Sequence, residues 1–312
     1  MLNWSIRPLE LQLKFLWEIA RGSAKTKTNF IVTVQEGDTI GEGEMAGLTG
    51  HPLSFDLIQK EFASLPLQKV TSPELCEDLQ VEPSLLFAIS SALTHLRCQQ
   101  EGKSLSAYLG LRAVPRRPTS FSIPLMPLEK IAGFVKEHRV NEYPACKVKV
   151  GPKHLANHVK EVAKWYAGPL RIDANASFSS AQDVIAFFNE IRELPVEFVE
   201  QPLAVDNVKD SEIVKTSSQW PIVADESLQR GTDVKQLEAA FHGINVKLMK
   251  SGSYLKAIEQ LRVAQTLGMK TMLGCMVETL LGIDGAHALS ADVDWIDLDG
   301  NLFLENDPYI AR

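Results

Sequence analysis

Short apolar segments alternate with helix-like segments from residue 118 onward. Eight apolar segments recur in order: SFSIPL, ACKVKVG, LRIDAN, EFVEQPL, PIVADES, GINVKLM, TMLGCMVET and WIDLDG. Helix-like stretches such as AQDVIAFFNEIREL and YLKAIEQLRVAQTLG separate them. Strands that alternate with helices are typical of a parallel sheet built from βαβ units. The alternation therefore predicts an α/β fold for this part of the chain.

A polar residue near the end of seven of these segments distinguishes a closed barrel from an open sheet. These residues are Lys149, Asp173, Glu200, Asp225, Lys247, Glu278 and Asp297, and each follows the previous one by 19 to 31 residues. Such an interval holds a strand, a helix and two loops. In a (β/α)₈ barrel the C-terminal strand ends converge on one mouth, where active sites are built. An open doubly wound sheet would spread them along a line, so the pattern favours a barrel.

The first third of the chain has a different pattern. NFIVTVQEGDTIGEGE alternates apolar and polar residues around EGD, which predicts a β-hairpin, and residues 83–102 repeat apolar residues at helical spacing. The proline-rich AVPRRPTS at 113–120 is typical of a connector. We predict a small α+β domain at 1–115, a barrel at 116–300, and a C-terminal segment at 301–312 that packs back on the first domain.

Composition and charge narrow the function classes. The chain has 312 residues, 45% of them hydrophobic, and a net charge of −7, with no basic cluster beyond RGSAKTK at 21–27. A nucleic-acid partner is not expected, because it would require a basic face. A membrane span is not expected either, since no apolar run approaches about 20 residues. The N-terminus lacks a signal-peptide pattern and the four cysteines form no CxxC pair, so we expect a cytoplasmic protein with reduced thiols.

Three carboxylates at consecutive strand ends predict a metal site. Asp173, Glu200 and Asp225 would point to one place in a barrel, where their mutual repulsion requires a positive partner. Ligands that are all oxygen select Mg²⁺, or Mn²⁺ as an alternative, over zinc. Acidic residues also cap the helices that follow strands, which is the competing interpretation.

Lysines on either side of these carboxylates indicate acid–base chemistry. Lys147 and Lys149 share one face of their strand, and Lys247 would come from nearly the opposite side of the barrel. A carboxylate bound to a divalent cation can lose its α-proton, because the cation stabilises the enediolate. With a base on each face the carbon is inverted; with one base the same site runs β-elimination or cycloisomerisation. The residues alone leave these products open.

Five motifs in this order and spacing resemble the enolase superfamily, in its muconate-lactonising-enzyme subgroup: KVKVG, RIDAN, FVEQP, VADES and NVKLMKSG. GEGE at 41–44 and ISSALTHLRCQQEGKSLSAYLGL at 89–111 are similar to parts of the family's capping domain. The resemblance implies a modified, enolase-type (β/α) barrel with an N-terminal α+β capping domain. Two positions depart from the family pattern: Ser253 replaces a glycine, and His95 replaces an acidic residue of the capping helix.

The resemblance also implies roles for individual residues. Asp173, Glu200 and Asp225 match the Mg²⁺ ligands, and Lys149 and Lys247 match the paired acid/base residues. Lys147 matches a lysine that supports the bound carboxylate, Asn175 and Glu226 match residues just behind the ligands, and Glu278 matches an active-site acid that binds substrate. Family members often form rings or dimers, so a homo-oligomer is expected.

The pair Asp297 and Asp299 in WIDLDG resembles the DxD pair of the dipeptide epimerases. Side chains at i and i+2 of a strand share a face, so both carboxylates could bind a substrate's free ammonium; a turn and helix start is the competing interpretation. The expected substrate is a dipeptide, with L-Ala-D/L-Glu from peptidoglycan as one candidate. Arg21, Lys25 or Lys27 would then bind the glutamate side chain. The alternatives are o-succinylbenzoate synthase or muconate cycloisomerase activity and, from another class, a non-catalytic binding protein.

Overall fold

An antiparallel three-stranded sheet and a long helix form the N-terminal part. The computed structural model describes residues 1–19, 22–47, 54–151 and 155–310. The sheet has the order β1 (Asn3–Ile19), β2 (Gly22–Glu36), β3 (Thr39–Met45). Three helices follow: α1 (Phe55–Ser64), α2 (Pro83–Glu101) and α3 (Leu105–Tyr108). The predicted α+β character of this region is confirmed.

The hairpin and the long helix end where the sequence predicts. β2 and β3 are joined by a two-residue turn at Gly37 and Asp38, where Gly37 has a φ of 61°. Gly102 ends α2 in the left-handed conformation, with a φ of 62°. Positive φ angles of this kind favour glycine, which has no Cβ to clash with the backbone.

The glycines of GEGE set the distance between the sheet and α2. A Cβ on Gly41 would meet the backbone of Ala92 and Leu96, and a Cβ on Gly43 would meet Ala88. Glycine at both positions therefore lets strand β3 lie directly against the helix. The motif is a packing requirement of this domain, and it places the intervening Glu42 and the following Glu44 on defined faces.

Eight parallel strands form the second part of the structure. They are β4 (Phe121–Ile123), β5 (Cys146–Lys149), β6 (Leu170–Asp173), β7 (Val196–Glu200), β8 (Ile222–Ala224), β9 (Gly243–Lys247), β10 (Lys270–Gly274) and β11 (Trp295–Asp297). Each pairs with its sequence neighbour, in the order β4 to β11. The amide of Ser120 donates to the carbonyl of Ile296 at 3.4 Å, which connects the two edges. The predicted (β/α) barrel with an N-terminal cap is confirmed.

Helices connect the strands on the outside of the barrel. They are α4 (Leu128–Glu137), α5 (Leu155–Trp165), α6 (Ala181–Ile191), α7 (Val208–Ser217), α8 (Val234–Leu237), α9 (Leu248–Ser251), α10 (Tyr254–Thr266) and α11 (Leu280–His287). Their apolar faces and the outward-facing strand residues form one continuous buried core. Among the described residues, none of the helices is long and apolar enough to cross a membrane.

The inside of the barrel has an apolar floor. Phe198, Val223, Met272 and Trp295 form a small buried cluster of their own. Side chains two positions apart on a strand point the same way. The residues two positions later, Glu200 and Asp225 among them, therefore lie one layer higher, at the C-terminal mouth. The strands thus seal the barrel below and present polar groups above.

Residues after the last strand contact the first strand of the cap. Leu304 forms an isolated antiparallel bridge with Leu13, and the amide of Glu305 donates to the carbonyl of Gln12 at 2.9 Å. The exact division into domains at 115/116 and 300/301 stays a prediction.

Candidate active site

Strand register brings the predicted site residues to one level of the barrel mouth. Lys149 pairs with Asp173, and Asp173 pairs with Glu200, on three adjacent strands. Gly274 pairs with Lys247 on one side and with Asp297 on the other. The ends of β5, β6, β7, β9, β10 and β11 thus lie at one level of the mouth.

The ammonium of Lys147 lies between carboxylates from three strands. Its Nζ is 3.0 Å from Asp173 Oδ2, 2.8 Å from Glu200 Oε2 and 2.8 Å from Asp297 Oδ2, and the residue is 2% exposed. Burial alone would lower the pKa of this lysine. The surrounding carboxylates outweigh burial and hold its pKa well above the ordinary value. Lys147 is therefore a fixed positive charge at the centre of the mouth.

Three more lysines contact Asp173 or Asp225 at the mouth. Lys149 Nζ is 2.6 Å from Asp173 Oδ2, and Lys247 Nζ is 2.9 Å from Asp225 Oδ2. Lys250 Nζ is 2.6 Å from Asp225 Oδ1 and also donates to the Asp225 carbonyl. The sequence argument missed Lys250. It lies three residues after Lys247 in the one-turn helix α9, a spacing that returns a side chain to the same side, and this was the available signal.

The charges in the mouth shift one another's pKa values. Burial raises the pKa of Asp173 and Asp225 by itself, but nearby ammonium groups outweigh it and hold both well below their usual range. Burial, followed by the Asp173 carboxylate, raises the pKa of Glu200 to about 7. Neighbouring carboxyl groups in the mouth thus have pKa values shifted in opposite directions, as in sites that bind cations or move protons.

Asn245 and Asn175 hold the carboxylates in place. Asn245 Nδ2 donates to Glu200 Oε1 at 2.8 Å, and a Cβ on Gly274 would clash with the Asn245 side chain that makes this bond. The amide of Asn175 donates to Asp173 Oδ1 at 3.0 Å, and its Nδ2 donates to Glu226 Oε1 at 3.3 Å. Asn175 thus links the Asp173 carboxylate to Glu226, and both Asn175 and Glu226 line the cavity at the mouth.

The donor set suits a hard divalent cation. Asp173, Glu200 and Asp225 offer only carboxylate oxygens, and they are 0%, 0% and 4% exposed. In the present side-chain arrangement no three His, Cys, Asp or Glu side chains of the described residues are grouped as ligands of one ion, because each carboxylate faces a lysine. Lysine ammonium groups thus lie against the buried carboxylates in this arrangement. The chemistry of the carboxylates fits Mg²⁺, with Asp173, Glu200 and Asp225 as the groups that would hold it.

Asp297 and Asp299 lie beside this cluster and differ in their partners. Asp297 accepts from Ser120 Oγ and contacts Lys147, and burial is outweighed by that ammonium, so its pKa is lowered. Asp299 accepts from the Ser122 amide at 2.7 Å; burial and then the Asp297 carboxylate raise its pKa to about 7. Lys147 thus pairs with Asp297, and a further cationic group beside Asp299 would favour the ionised form of that carboxyl.

A cavity of about 270 Å³ opens above these groups, with walls from both the barrel and the cap. The barrel contributes Lys147, Lys149, Lys247, Lys250, Asp225, Asp297 and Asp299, and the cap contributes Trp17, Ala46, Gly47, Glu82, Pro83 and Ser84. The lysines, one proposed metal ligand and the aspartate pair therefore face a single space, which has room for a small molecule.

Other predicted residues lie elsewhere. Glu278 is not among the described residues that line the cavity; its Oε1 accepts from the Met276 amide at 2.9 Å. Arg21 lies outside the described residues. Lys27 is buried, and its Nζ donates to the carbonyls of Gly47 and Val277, so it does not reach the cavity lining. Lys25 donates to the Leu13 carbonyl.

Comparisons with known proteins show which family the chain is similar to. The sequence model of the family described as Enolase C-terminal domain-like matches residues 130–296. An L-Ala-D/L-amino acid epimerase of Pedosphaera parvula is 32% identical, over 97% of this chain and 91% of that protein. The L-Ala-D/L-Glu epimerase of Bacteroides thetaiotaomicron is 29% identical, over 97% of this chain and 81% of that protein. A dipeptide epimerase structure from Methylococcus capsulatus, complexed with Mg and L-Arg-D-Lys, has a TM-score of 0.85 at 27% identity, over 98% of this chain and 92% of that one.

A capped parallel barrel with lysines and carboxylates at its mouth defines an enolase-type enzyme. The chain belongs to the enolase superfamily, and within it to the family of the dipeptide epimerases. It is therefore an enzyme of the isomerase class, and the family resemblance found in the motifs is confirmed.

Proposed function

We propose that the enzyme inverts the α-carbon of the C-terminal residue of a dipeptide. The main support for this proposal is that Lys149, Lys247 and the Asp297–Asp299 pair line one cavity. The two lysines stand on β5 and β9, which are four strands apart in the barrel. A substrate α-carbon between the two strands would have the amino group of one lysine side chain on each of its faces. The names of the relatives, which are epimerases of dipeptides, support the same reaction.

The proton transfers need both lysines. One lysine, as a neutral amine, takes the α-proton and becomes an ammonium; the other, as an ammonium, returns a proton to the opposite face and becomes an amine. Asp173, Glu200 and Asp225 would hold Mg²⁺, which when bound would supply positive charge that makes the α-proton of a carboxylate substrate more acidic. Lys147, buried at the centre of the mouth, adds a second positive charge on the same side.

The free amino group of the dipeptide fits the aspartate pair. An ammonium between Asp297 and Asp299 would make charge-assisted hydrogen bonds and would balance the pair's negative charge. Substrates of o-succinylbenzoate synthases and muconate cycloisomerases carry no such cation, so the pair favours a dipeptide over these alternatives. The name of the Bacteroides relative makes L-Ala-D/L-Glu, a fragment of peptidoglycan, one candidate. Its glutamate side chain would need a cation such as Arg21.

The cysteines bear on where in the cell the enzyme works. The four cysteines Cys76, Cys98, Cys146 and Cys275 are free thiols. We propose a cytoplasmic enzyme, where thiols stay reduced, that works as a homo-oligomer on a small-molecule substrate without nucleic-acid or membrane partners.

A deuterium-exchange assay tests the proposal. The enzyme is incubated with MgCl₂ in D₂O and a library of L,L-dipeptides that includes Ala-Glu, and NMR follows the α-proton of the C-terminal residue. Loss of that signal together with formation of the L,D product is expected for a subset of dipeptides. The absence of exchange across the library would refute the proposal. Dehydration or cycloisomerisation activity that persists in Asp297→Asn would instead favour the alternative activities.

A further inference from the structure

Gln201 occupies an unusual position directly after Glu200. It is fully buried, and its backbone has a φ of 35°, in the left-handed region that residues with a Cβ rarely adopt. Asn175 and Ala176, which follow Asp173 at the end of the neighbouring strand β6, also have positive φ angles, of 44° and 59°. Strained backbone persists only where the surrounding structure holds it, and it clusters at functional sites.

The side chain of Gln201 binds the loop that carries Asp225. Its Oε1 accepts from the backbone amides of Asp225 and Ser227, both at 3.0 Å. Its Nε2 donates to Ser227 Oγ and to the carbonyl of Leu203, both at 2.9 Å. Two acceptor and two donor bonds use the full capacity of a carboxamide, which an aliphatic side chain cannot imitate.

The backbone of Gln201 binds both neighbouring strand ends. Its amide donates to the carbonyl of Val223 on β8 at 2.9 Å, and its carbonyl accepts from Ala176 at 2.7 Å, in the loop after β6. One residue thus ties together the ends of β6, β7 and β8. These ends carry Asp173, Glu200 and Asp225.

We propose that Gln201 is a positioning residue that keeps these three carboxylates in the mutual arrangement that a divalent cation requires. The inference rests on the proposed magnesium site. Gln201 touches no carboxylate oxygen; it fixes the main chain of Glu200 and Asp225, and the main chain fixes the side-chain directions. Residues that orient metal ligands in this indirect way typically change metal affinity by about 10- to 100-fold when they are replaced.

Calorimetric titration of the full chain with MgCl₂ tests this role without any activity measurement. Gln201→Met keeps the size of the side chain and removes its four hydrogen bonds, so the Kd for Mg²⁺ should rise about 10- to 100-fold. Gln260 offers a matched control: it is 1% exposed, and its side chain bonds Ser251 Oγ and the Gln229 carbonyl, not the main chain of Glu200 or Asp225. Gln260→Met should leave the Kd within about twofold of the wild-type value.

Folding is monitored separately by circular dichroism and Tm. If Gln201→Met does not fold, Ser227→Ala decides, because it removes one bond to the carboxamide and should weaken Mg²⁺ binding about threefold, within the range of one hydrogen bond. A folded Gln201→Met with wild-type affinity, or an unchanged Ser227→Ala where that variant decides, would overturn the positioning role and leave the proposed reaction intact. A wild-type chain that does not bind Mg²⁺ would overturn the metal site and this role together.

Discussion

Two buried clusters of lysines and carboxylates occur in this protein, and they do different things. The mouth cluster consists of Lys147, Lys149, Lys247, Lys250, Asp173, Glu200, Asp225 and Asp297. The joint cluster lies between cap and barrel and consists of Lys27, Asn29, Glu44, Glu278 and Thr279. In the mouth cluster the lysines contact the carboxylates directly and face the cavity.

In the joint cluster, the charged groups of Lys27 and Glu44 form hydrogen bonds with main-chain and neutral side-chain groups instead. Lys27 Nζ donates to the carbonyls of Gly47 and Val277 at 2.7 and 2.8 Å. Glu44 accepts from the amide of Thr279 at 3.0 Å, from its hydroxyl at 2.6 Å and from Asn29 Nδ2 at 2.7 Å. Cap residues thereby hold the loop after β10, whose neighbouring residues line the cavity.

Burial of charged groups therefore does not by itself identify an active site. Both clusters are buried, and both contain groups with shifted pKa values, such as Glu200 at about 7 and Lys27 at about 8. In the mouth cluster the charges would rearrange when a cation or substrate enters from the cavity. In the joint cluster they fasten two parts of the molecule. Substitutions in the mouth cluster should therefore lower activity, whereas substitutions in the joint cluster should lower stability.

The largest effect is expected at the two lysines of the mouth cluster. Lys149→Ala or Lys247→Ala should lower kcat for epimerisation by about 10²- to 10⁴-fold, because each removes one proton-transfer group. One of the two variants should still exchange the α-proton of a single stereoisomer in D₂O. The exposed Lys164→Ala is the control and should keep wild-type kcat. A loss of less than tenfold in both mouth variants would contradict the two-base mechanism.

Loss of the Glu44 carboxylate should unfold the joint without touching the chemistry. Glu44→Ala leaves buried donors of Thr279 and Asn29 unpaired, and it should lower the free energy of unfolding by about 2–4 kcal/mol. Denaturant titration measures this loss. Glu44→Gln keeps an acceptor and should cost less. A variant that is as stable as the wild type but inactive would mean that the joint takes part in catalysis.

Asp299→Asn should separate substrate recognition from stability. Removing one carboxylate from the ammonium site should lower kcat/KM for free dipeptides about 10- to 100-fold, the value of a hydrogen bond between charged groups. Activity on the same dipeptides with an acetylated N-terminus should change little. Equal losses with both substrates would show that Asp299 does not bind the ammonium.

A final effect is a pH dependence of stability that arises in the joint cluster. Burial, and then the Glu44 carboxylate, raises the pKa of Glu278 to about 8, above its unfolded value of 4.5. The folded state therefore holds the proton more tightly, so this stabilisation is full below pH 4.5 and is lost as the pH rises to about 8. The slope is at most about 1.4 kcal/mol per pH unit. Glu278→Gln should flatten this decline in urea titrations at pH 5, 6.5 and 8, whereas an unchanged slope would assign it to other groups.

The fold could be predicted from the sequence because its signals are local and repeated. Each barrel segment is a short apolar run, and seven of the eight have a polar residue near their end; eight parallel strands are observed. The GEGE glycines and Gly102 had local reasons of their own, close packing and a left-handed helix end. Side-chain alternation also placed Lys147 and Lys149 together, as their shared contact with Asp173 illustrates.

Pairings between distant residues could not be predicted in this way. Lys27 looks like any surface lysine in a strand of alternating residues, and only the docking of the cap buries it against Val277, 250 positions later. Glu278 follows a strand as the other polar residues do, yet its side chain turns toward the cap and its pKa is raised partly by Glu44. Gln201 belongs to a recognised motif, but its bonds to three strand ends depend on the tertiary structure.

The contacts between β1 and the segment after β11 bear on how the chain acquires its structure during synthesis. The amide of Gln12 donates to Asn306 Oδ1, and these residues are 294 positions apart. Contacts of such high sequence separation form late and slow folding. The first strand leaves the ribosome long before the segment after β11 is synthesised. The contacts between the two can therefore form only when almost the whole polypeptide exists. The cap over the cavity is thus synthesised first, and its contacts with the C-terminal segment form last.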